Sequence, residues 1–488
     1  MSGTRICIYA FSSTALFFRA LIDACRAAGD AVEWSVVVPQ GHFRRAFAGA
    51  VPRERLCYLY RNFARHYAAA ETAAIERGLA SGEGLIAALM KDKDGYRRLD
   101  KEEQLKRAAA MHECYAEFLD RVRPDFVLFP DLETVDGFVL MNLCRARGIG
   151  VLYFVGMRIL GRSFFASDPY ETLPAYFGDH DAADLAAARE VLQRFGGRRA
   201  CTAGDAYPAS APPKPSIFRR VVISAWLRLR YERLHASEEG LRIRIARNTI
   251  AVVARFRRLR FDLRAARLFD GRDDLPPRYV YYALQYTPES SINGLEPYYV
   301  DQLRAIDALL LALPHAHRLV VKEHPAMYGL RQLDFYRTLR RRPGLVLLKP
   351  EIDSRALIEG AALVATVTGT VGLEAFLLGK PGMMFGRTFF AQLCAAAPAP
   401  APRDLGPMLA EAIATHRPAT EAEKESAVAR LLAIGADFII GDPWLAPTTL
   451  APGNIAAARE YLWRHLARLR RAAPDAPAPA ARSEAGAC

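Results

Sequence analysis

Three short apolar runs end at polar or glycine-rich turns within one stretch of the chain. The runs are Leu319–Lys322, Leu345–Leu348 and Leu363–Val367. Strands of a parallel sheet that is covered by helices are buried on both faces, so they are continuous apolar runs rather than alternating ones. Ligands of such sheets bind beyond the carboxyl ends of the strands. The stretch Leu319–Gly386 therefore predicts the ligand-binding edge of a parallel α/β sheet.

The first of these runs ends at Lys322-Glu323-His324-Pro325. A histidine at a strand end, held by a stiff Pro turn, can donate its ring N–H to a phosphate oxygen and stabilise a leaving phosphate. The alternative is a histidine whose partners are backbone groups at a turn. Taken alone, the His-Pro pair favours that alternative.

The third run is followed by Thr368-Gly369-Thr370-Val371-Gly372-Leu373-Glu374. Glycines allow close backbone approach, threonines supply hydroxyls, and a helix start offers free N–H groups to a phosphate. Glu374, one turn into the helix, is placed to accept hydrogen bonds from ribose hydroxyls. The alternative is a capped core helix. Together with His324, this turn predicts a nucleotide or phosphate site.

A strand over Arg278–Leu284 is predicted to end at Gln285-Tyr286-Thr287-Pro288-Glu289. Gln285 or Glu289 could contact a base or a sugar, and an ordinary strand-end turn is the alternative. This segment does not distinguish the two by itself.

The amino-terminal part begins with a strand at Arg5–Phe11, a helix at Ala15–Ala28 and a strand at Glu33–Val38. This order predicts a Rossmann-like half, without the GxGxxG fingerprint of a dinucleotide site. We expect the polar residues at the helix start to be caps; they are Ser12, Ser13 and Thr14.

A second strand-to-helix turn in this part follows the run Asp125–Phe129 and precedes a helix at Val135–Ala146. Asp131 and Glu133 lie in that turn, where a carboxylate can act as an acid, base or nucleophile toward an acceptor. The alternative is that Asp131 or Thr134 caps the helix. We predict that at least one acid here is catalytic.

The segment Gly156–Asp168 is predicted to be a loop near the site. Its Arg158 and Arg162 are candidates for contact with an anionic acceptor or a phosphate, at even odds with ordinary surface arginines.

The net charge of +13 is concentrated in one segment. Between Lys214 and Arg267 there are fifteen Lys or Arg residues and four Asp or Glu residues. Apolar residues recur there at helical spacing, which predicts amphipathic helices. Such helices either pack between domains or lie on an anionic membrane surface. Nucleic acid is not expected as a partner, because no recognition module accompanies the charge.

The 488 residues predict more than one domain. We expect an N-terminal Rossmann-like acceptor domain (1–213), a basic helical connector (214–275) and a nucleotide-sugar domain (276–450). A last helix that returns to the first domain (451–472) and a disordered tail (473–488) would follow. The eight scattered cysteines have no metal-site spacing, so we expect a reduced, cytoplasmic protein without a metal or cofactor.

The segments ALQYTPESS, KEHP and TVTGTVGLEAFLLGKPGMMFG follow one another within Arg278–Arg387. In order and spacing they resemble the bacterial capsule polysaccharide biosynthesis family, which includes GT-B glycosyltransferases related to retaining β-Kdo transferases. The resemblance implies two Rossmann-like domains that face a cleft. It also implies that His324 binds the donor phosphate and that the Thr368–Thr370 loop and Glu374 hold the nucleotide.

A metal-independent glycosyltransferase that builds a surface polysaccharide is the function this resemblance implies. Its partners would be a nucleotide-sugar, with CMP or UDP as the nucleotide, and a glycan or glycolipid acceptor. The alternatives are a nucleotide-sugar epimerase and a non-catalytic assembly protein whose basic connector binds membrane or polymer. Peripheral association with the inner membrane is expected if that connector faces lipid.

Overall fold

The computed structural model describes residues 4–39, 43, 45–69, 76, 85–92, 99–159, 161–197, 261, 264–265, 267–287, 290–393, 403–441, 443 and 446–472. The chain divides into two compact units. The first unit comprises Met1–Ala187, Asp205–Ala211 and Ala429–Cys488, and the second comprises Ala188–Gly204 and Pro212–Val428. Each unit contains one predominantly parallel sheet, which confirms the predicted α/β class.

The sheet of the first unit has the strand order β3-β2-β1-β4-β5-β6. All neighbours are parallel except β5 and β6. The strands are β1 Thr4–Tyr9, β2 Val32–Val38, β3 Leu56–Tyr58, β4 Phe126–Phe129, β5 Gly150–Gly156 and β6 Ser163–Ala166.

Helices cover this sheet because its strands are apolar on both faces. They are α1 Thr14–Ala27, α2 Leu59–Ala69, α3 Leu85–Lys91, α4 Lys101–Val122 and α5 Val135–Ala146. The next helix along the chain is α6 Ala182–Gly196. The helix predicted at Val135–Ala146 has the predicted bounds. The prediction of a cap is wrong for Ser13, because its side chain at the N-cap of α1 makes no capping hydrogen bond. The Thr14 hydroxyl instead donates to the carbonyl of Phe11.

The second sheet has the order β11-β10-β7-β8-β9 and is parallel throughout. Its strands are β7 Tyr279–Ala283, β8 Arg318–Lys322, β9 Leu345–Leu348, β10 Leu363–Thr366 and β11 Gly382–Met384. The chain runs from β7 through β8 to β9 and then returns to the other side of β7 for β10. The apolar runs that predicted strands are therefore all strands of one parallel sheet.

The remaining helices are shorter on average. They are α7 Ser290–Leu295, α8 Leu303–Ala312, α9 Leu333–Arg340, α10 Ser354–Gly360, α11 Val371–Leu377, α12 Leu405–Thr415, α13 Glu421–Ala433 and α14 Pro452–Ala472. Short 3₁₀ helices occur at Arg53–Arg55, Arg272–Asp274, Pro297–Val300, Ala391–Leu393 and Pro447–Leu450. No helix within the described ranges has the length and apolar character needed to cross a membrane.

The loop predicted over Gly156–Asp168 is wrong in part. Ser163–Ala166 is fully buried and pairs antiparallel with β5. Its outer edge meets Ala436, whose N–H donates to the Ser163 carbonyl at 3.0 Å. The ring of Phe438 packs on Phe165 with centroids 5.9 Å apart.

Residues from Ala429 onward group with the first unit, whereas the predicted nucleotide-sugar domain extends to residue 450. Most of the predicted connector 214–275 and the predicted tail 473–488 lie outside the described residues.

The last helix, α14, packs against α1 and is fastened to its carboxyl end through Asp30. The Asp30 carboxylate accepts hydrogen bonds from Arg459 Nε at 2.6 Å, Arg459 Nη2 at 2.7 Å and Trp463 Nε1 at 2.8 Å. The Arg459 hydrogen bond is the main reason why the pKa of Asp30 is lowered from 3.8. A forked arginine–carboxylate pair of this kind is among the stronger surface interactions.

We expect Asp30→Asn to lower the free energy of unfolding at pH 7 by about 1 kcal/mol, since it removes the charge from a solvent-screened pair. The folded-state pKa lies below the unfolded one. The contribution of Asp30 is therefore present above about pH 4 and is lost as the pH falls through the folded-state value. Urea titrations at pH 7 and pH 3 measure the difference, and Asp23→Asn in the exposed Arg19 pair is the control. Equal effects of the two substitutions at pH 7 would contradict this role.

Candidate functional site

The order in which strands are added to the second sheet reverses between β7 and β10. The chain adds β8 and β9 on one side of β7 and then returns to add β10 on the other side. In open α/β sheets, ligands bind at this reversal, beyond the carboxyl ends of the strands. The residues that follow β7, β8 and β10 therefore form the candidate site.

Gln285 and Thr366 bridge the reversal directly. Gln285 Nε2 donates to Thr366 Oγ1 at 2.6 Å, and both residues are buried. The Gln285 backbone is also paired, because its N–H donates to Gln302 Oε1 at 2.7 Å and its carbonyl accepts from Gln302 Nε2 at 3.1 Å. The Gln285 side chain, predicted to contact the donor, thus makes its hydrogen bond to another protein residue. Glu289, the other donor contact predicted in this segment, lies outside the described residues.

The turn after β10 carries a buried hydroxyl with no partner. Thr368 is 2% exposed, and its Oγ1 has no hydrogen-bond partner among the described residues. Most buried polar side chains of native proteins are hydrogen-bonded, so an unpaired one at a ligand-binding edge indicates a group that a ligand or water satisfies. This is the strongest sign of binding in the Thr368–Glu374 turn.

Gly369 has a structural reason to be glycine. Its N–H donates to Thr366 Oγ1 at 3.2 Å, and a Cβ at this position would lie 2.6 Å from both Thr366 Oγ1 and Gln285 Nε2. The close approach that the sequence indicated is therefore an approach to other protein atoms.

The helix α11 begins after Thr370, whose side chain makes no capping hydrogen bond. The predicted alternative of a threonine-capped helix therefore does not describe this turn. Glu374 lies in the first turn of α11, as predicted, and is half-buried.

Lys322 ends β8 as a buried cation. Its Nζ donates to Ser354 Oγ at 2.6 Å, and the residue is 7% exposed. Burial lowers the pKa of Lys322, and the carboxylates of Asp353, Glu374 and Glu351 oppose this shift. Lys322 therefore brings positive charge to the face of the sheet that α10 and α11 cover.

Glu323 is a buried anion beside Lys322, and it is 1% exposed. Its Oε2 accepts from Arg331 Nε at 2.9 Å and from the Tyr336 hydroxyl at 2.6 Å. Burial raises the pKa of Glu323, while Arg331 and Tyr336 act against the shift.

His324 is half-buried, and its backbone N–H donates to Glu323 Oε1 at 2.5 Å. The N–H of Ala326 donates to His324 Nδ1 at 3.2 Å. A backbone N–H can only donate, so Nδ1 is unprotonated and the proton of the neutral ring is on Nε2. Burial lowers the pKa of His324, and the charges of Arg331 and Lys322 lower it further. The turn thus holds a neutral histidine with Nε2–H as its donor, and the neighbouring Pro325 is exposed.

In the first unit, Asp131 follows β4 and is half-buried, as is Glu133. Asp131 Oδ1 accepts from the N–H of Leu132 at 2.7 Å and from the Tyr153 hydroxyl at 3.4 Å. The pKa of Tyr153 is raised, first by burial and then by the charges of Asp131 and Glu171. Tyr153 and Glu171 thus belong to the surroundings of Asp131, which the sequence did not indicate.

The helix start behind Asp131 is capped by Asp92, the residue that follows α3. The N–H of Val135 donates to Asp92 Oδ1 at 3.0 Å, whereas the Thr134 side chain makes no capping hydrogen bond. The predicted alternative, in which Asp131 or Thr134 caps α5, therefore does not account for the N–H of Val135.

The two predicted arginines are placed differently. Arg158 Nη2 donates to Glu171 Oε1 at 3.2 Å, and both residues have left-handed backbone conformations, with φ values of 61° and 56°. Strained residues of this kind concentrate at functional sites. Arg162 Nε instead donates to Asp437 Oδ1 at 2.7 Å and joins β6 to the segment after α13.

No group of three or more Cys, His, Asp or Glu side chains in the described part of the chain is arranged to hold a metal ion. At the carboxyl end of β8, Lys322 and Arg331 supply buried positive charge.

The family model "Capsule polysaccharide biosynthesis protein" matches residues 243–394. These residues include β7 to β11 and every predicted donor contact. The second unit carries a capsule-synthesis family match. This confirms the resemblance that the sequence motifs indicated, over about the same part of the chain. No curated protein sequence matches the chain.

Two of the solved structures that match the chain are a transferase and an epimerase. The Thermosulfurimonas dismutans KpsC β-Kdo 2,7 transferase is 13% identical, with 73% of this chain and 89% of that chain covered and a TM-score of 0.36. The Methanocaldococcus jannaschii UDP-GlcNAc 2-epimerase is 11% identical, with 89% and 99% covered and a TM-score of 0.26. At these values, neither similarity carries an argument for an activity.

Proposed function

We propose that the protein is a glycosyltransferase of surface polysaccharide synthesis. It would transfer a sugar from a nucleotide-sugar, CMP- or UDP-linked, onto a capsular or lipopolysaccharide-type glycan or its lipid-linked precursor. The observation that carries the proposal is the edge of the second sheet. There the neutral His324 and the Thr368 hydroxyl, which has no partner among the described residues, lie within the family match.

The donor would be held by the residues that follow β8 and β10. His324 Nε2–H would donate to a phosphate oxygen and stabilise the negative charge that develops as the nucleotide leaves. The Thr368 and Thr370 hydroxyls and the Gly369 turn would contact the nucleotide, and Glu374 would accept hydrogen bonds from its ribose. Lys322 would add positive charge behind this group, so the proposal needs no metal ion.

The acceptor side would be provided by the first unit. Asp131 or Glu133 would act as acid, base or nucleophile, and Arg158 would meet an anionic part of a substrate. Two donors hold Asp131 Oδ1, the N–H of Leu132 and the hydroxyl of Tyr153.

Two other functions predict different products. A nucleotide-sugar epimerase would convert the donor without any acceptor, so product analysis with donor alone separates it from a transferase. A non-catalytic assembly protein would bind neither CMP nor UDP nucleotides, which calorimetry with a panel of nucleotides detects.

We expect His324→Ala to weaken nucleotide binding by about tenfold or more, because it removes a donor to a charged group. His324→Gln retains an N–H donor and should recover part of the affinity. Isothermal titration with CMP, UDP, GDP and dTDP measures both variants against the wild type. The control is His317→Ala, because His317 is half-buried like His324 but lies at the opposite end of β8. Undiminished binding by His324→Ala would remove His324 from the donor site.

We expect Asp131→Asn to reduce sugar transfer by at least about a hundredfold and to leave nucleotide affinity unchanged, because general acid–base or nucleophilic catalysis contributes on that scale. Glu133→Gln is the matched variant from the same turn. Transfer assays with a panel of nucleotide-sugars measure turnover, and calorimetry measures binding. If Glu133→Gln loses turnover and Asp131→Asn does not, the two roles are exchanged.

We propose that the segment 214–267, most of which lies outside the described residues, binds an anionic membrane surface. The proposal rests on its excess of basic over acidic residues. We expect the protein to sediment with vesicles that contain phosphatidylglycerol, less so at high salt, and not with pure phosphatidylcholine vesicles. Replacing half of the arginines in this segment with glutamine should abolish sedimentation with the phosphatidylglycerol vesicles. Equal binding to both kinds of vesicle would contradict the proposal.

A further inference from the structure

Arg331 belongs to none of the motifs that predicted the site, yet it contacts two of the site's loops. Its Nε donates to Glu323 Oε2 at 2.9 Å, and its Nη1 donates to Thr287 Oγ1 at 3.1 Å. Its Nη2 donates to the carbonyl of Gln285. The Arg331 side chain is 8% exposed, and that of Glu323 is fully buried.

The two loops that Arg331 joins follow β7 and β8. Gln285 and Thr287 belong to the first loop, and Glu323 holds the backbone of His324 in the second. A guanidinium is planar and presents its donors in a fixed fork, so three acceptors that match this fork also fix the positions of the loops that carry them. Arg331 therefore sets the distance between the Gln285–Thr287 loop and the His324 turn.

We propose that Arg331 is a positioning residue, which holds the Gln285–Thr287 loop and the His324 turn in the single arrangement that binds the donor nucleotide. This inference rests on the proposed function and adds a residue to it. Arg331 acts through Glu323 and the two loops, and the donor phosphate is left to His324.

The alternative is that Arg331 only neutralises Glu323. A buried carboxylate is strongly unfavourable without a partner, so this role would by itself explain a buried arginine. It does not explain the contacts to Thr287 Oγ1 and to the Gln285 carbonyl, which are neutral groups. These two contacts distinguish positioning from neutralisation.

The surroundings of His324 also depend on Arg331. The charges of Arg331 and Lys322 act on the ring, and the ring of Tyr286 packs edge-on with centroids 6.0 Å apart. Arg331 and Lys322 lower the pKa of His324 and so favour the neutral ring.

Three variants separate the two roles. Arg331→Lys keeps the charge but loses the fork. Arg331→Met removes both, and leaves Glu323 buried without its cation. The double variant Arg331→Met/Glu323→Gln removes the buried charge pair as a whole and provides a folded protein if the single Met variant unfolds. Arg337→Met is the control, because Arg337 lies nearby in α9 with an exposed side chain paired to Asp334.

We expect Arg331→Lys and the double variant to bind their best nucleotide, from the panel of CMP, UDP, GDP and dTDP, at least about tenfold more weakly than the wild type. Amide hydrogen exchange of residues 285–287 should be faster in both variants, in the absence of nucleotide. Arg337→Met should have the same nucleotide affinity as the wild type and the same exchange rate at residues 285–287. A double variant that binds as tightly as the wild type would reduce Arg331 to a neutralising partner and overturn the proposal.

The exchange measurement keeps this inference separate from the proposed function. If the wild type binds none of the four nucleotides, the proposed function fails. Unchanged exchange at residues 285–287 in Arg331→Lys overturns the positioning role, whatever the wild type binds. Faster exchange supports it.

Discussion

A parallel strand that is buried on both faces can carry polar side chains only where it ends. This constraint shapes the second unit, whose strands have fully buried centres and place Lys322, Thr366 and the residues after them at one edge. Polar groups from β7, β8 and β10 therefore meet at the reversal of the sheet, although they are far apart in the sequence. The site is a consequence of how the sheet is buried.

The same constraint places opposite charges on opposite faces of the sheet at the end of β8. Lys322 and Glu323 are neighbours in sequence, and each side chain must find its own partners because alternation sends them to different sides of the sheet. Lys322 meets Ser354 and the acids around it, and Glu323 meets Arg331 and Tyr336. The two networks together fix the turn that carries His324 from both sides.

The strand positions, and the sheet edge that carries the candidate site, could be predicted from sequence, because burial leaves a continuous apolar pattern. The run Leu345–Leu348 and the helix Val135–Ala146 have the predicted bounds. Contacts between distant residues could not be predicted in this way. The cap that Asp92 gives to α5, the pairing of Arg331 with Glu323, and the pairing of β6 with β5 have no local pattern. Gln285 illustrates the difference, since its place at the edge was predicted but its commitment to Thr366 was not.

The contact of α14 with α1 has a consequence for the order in which the chain folds during synthesis. Residues 212–428 of the second unit are translated before α14. The sheet that begins at Thr4 therefore lacks α14, which Asp30 binds, until the whole second unit has been translated. The unit whose translation starts first is completed last.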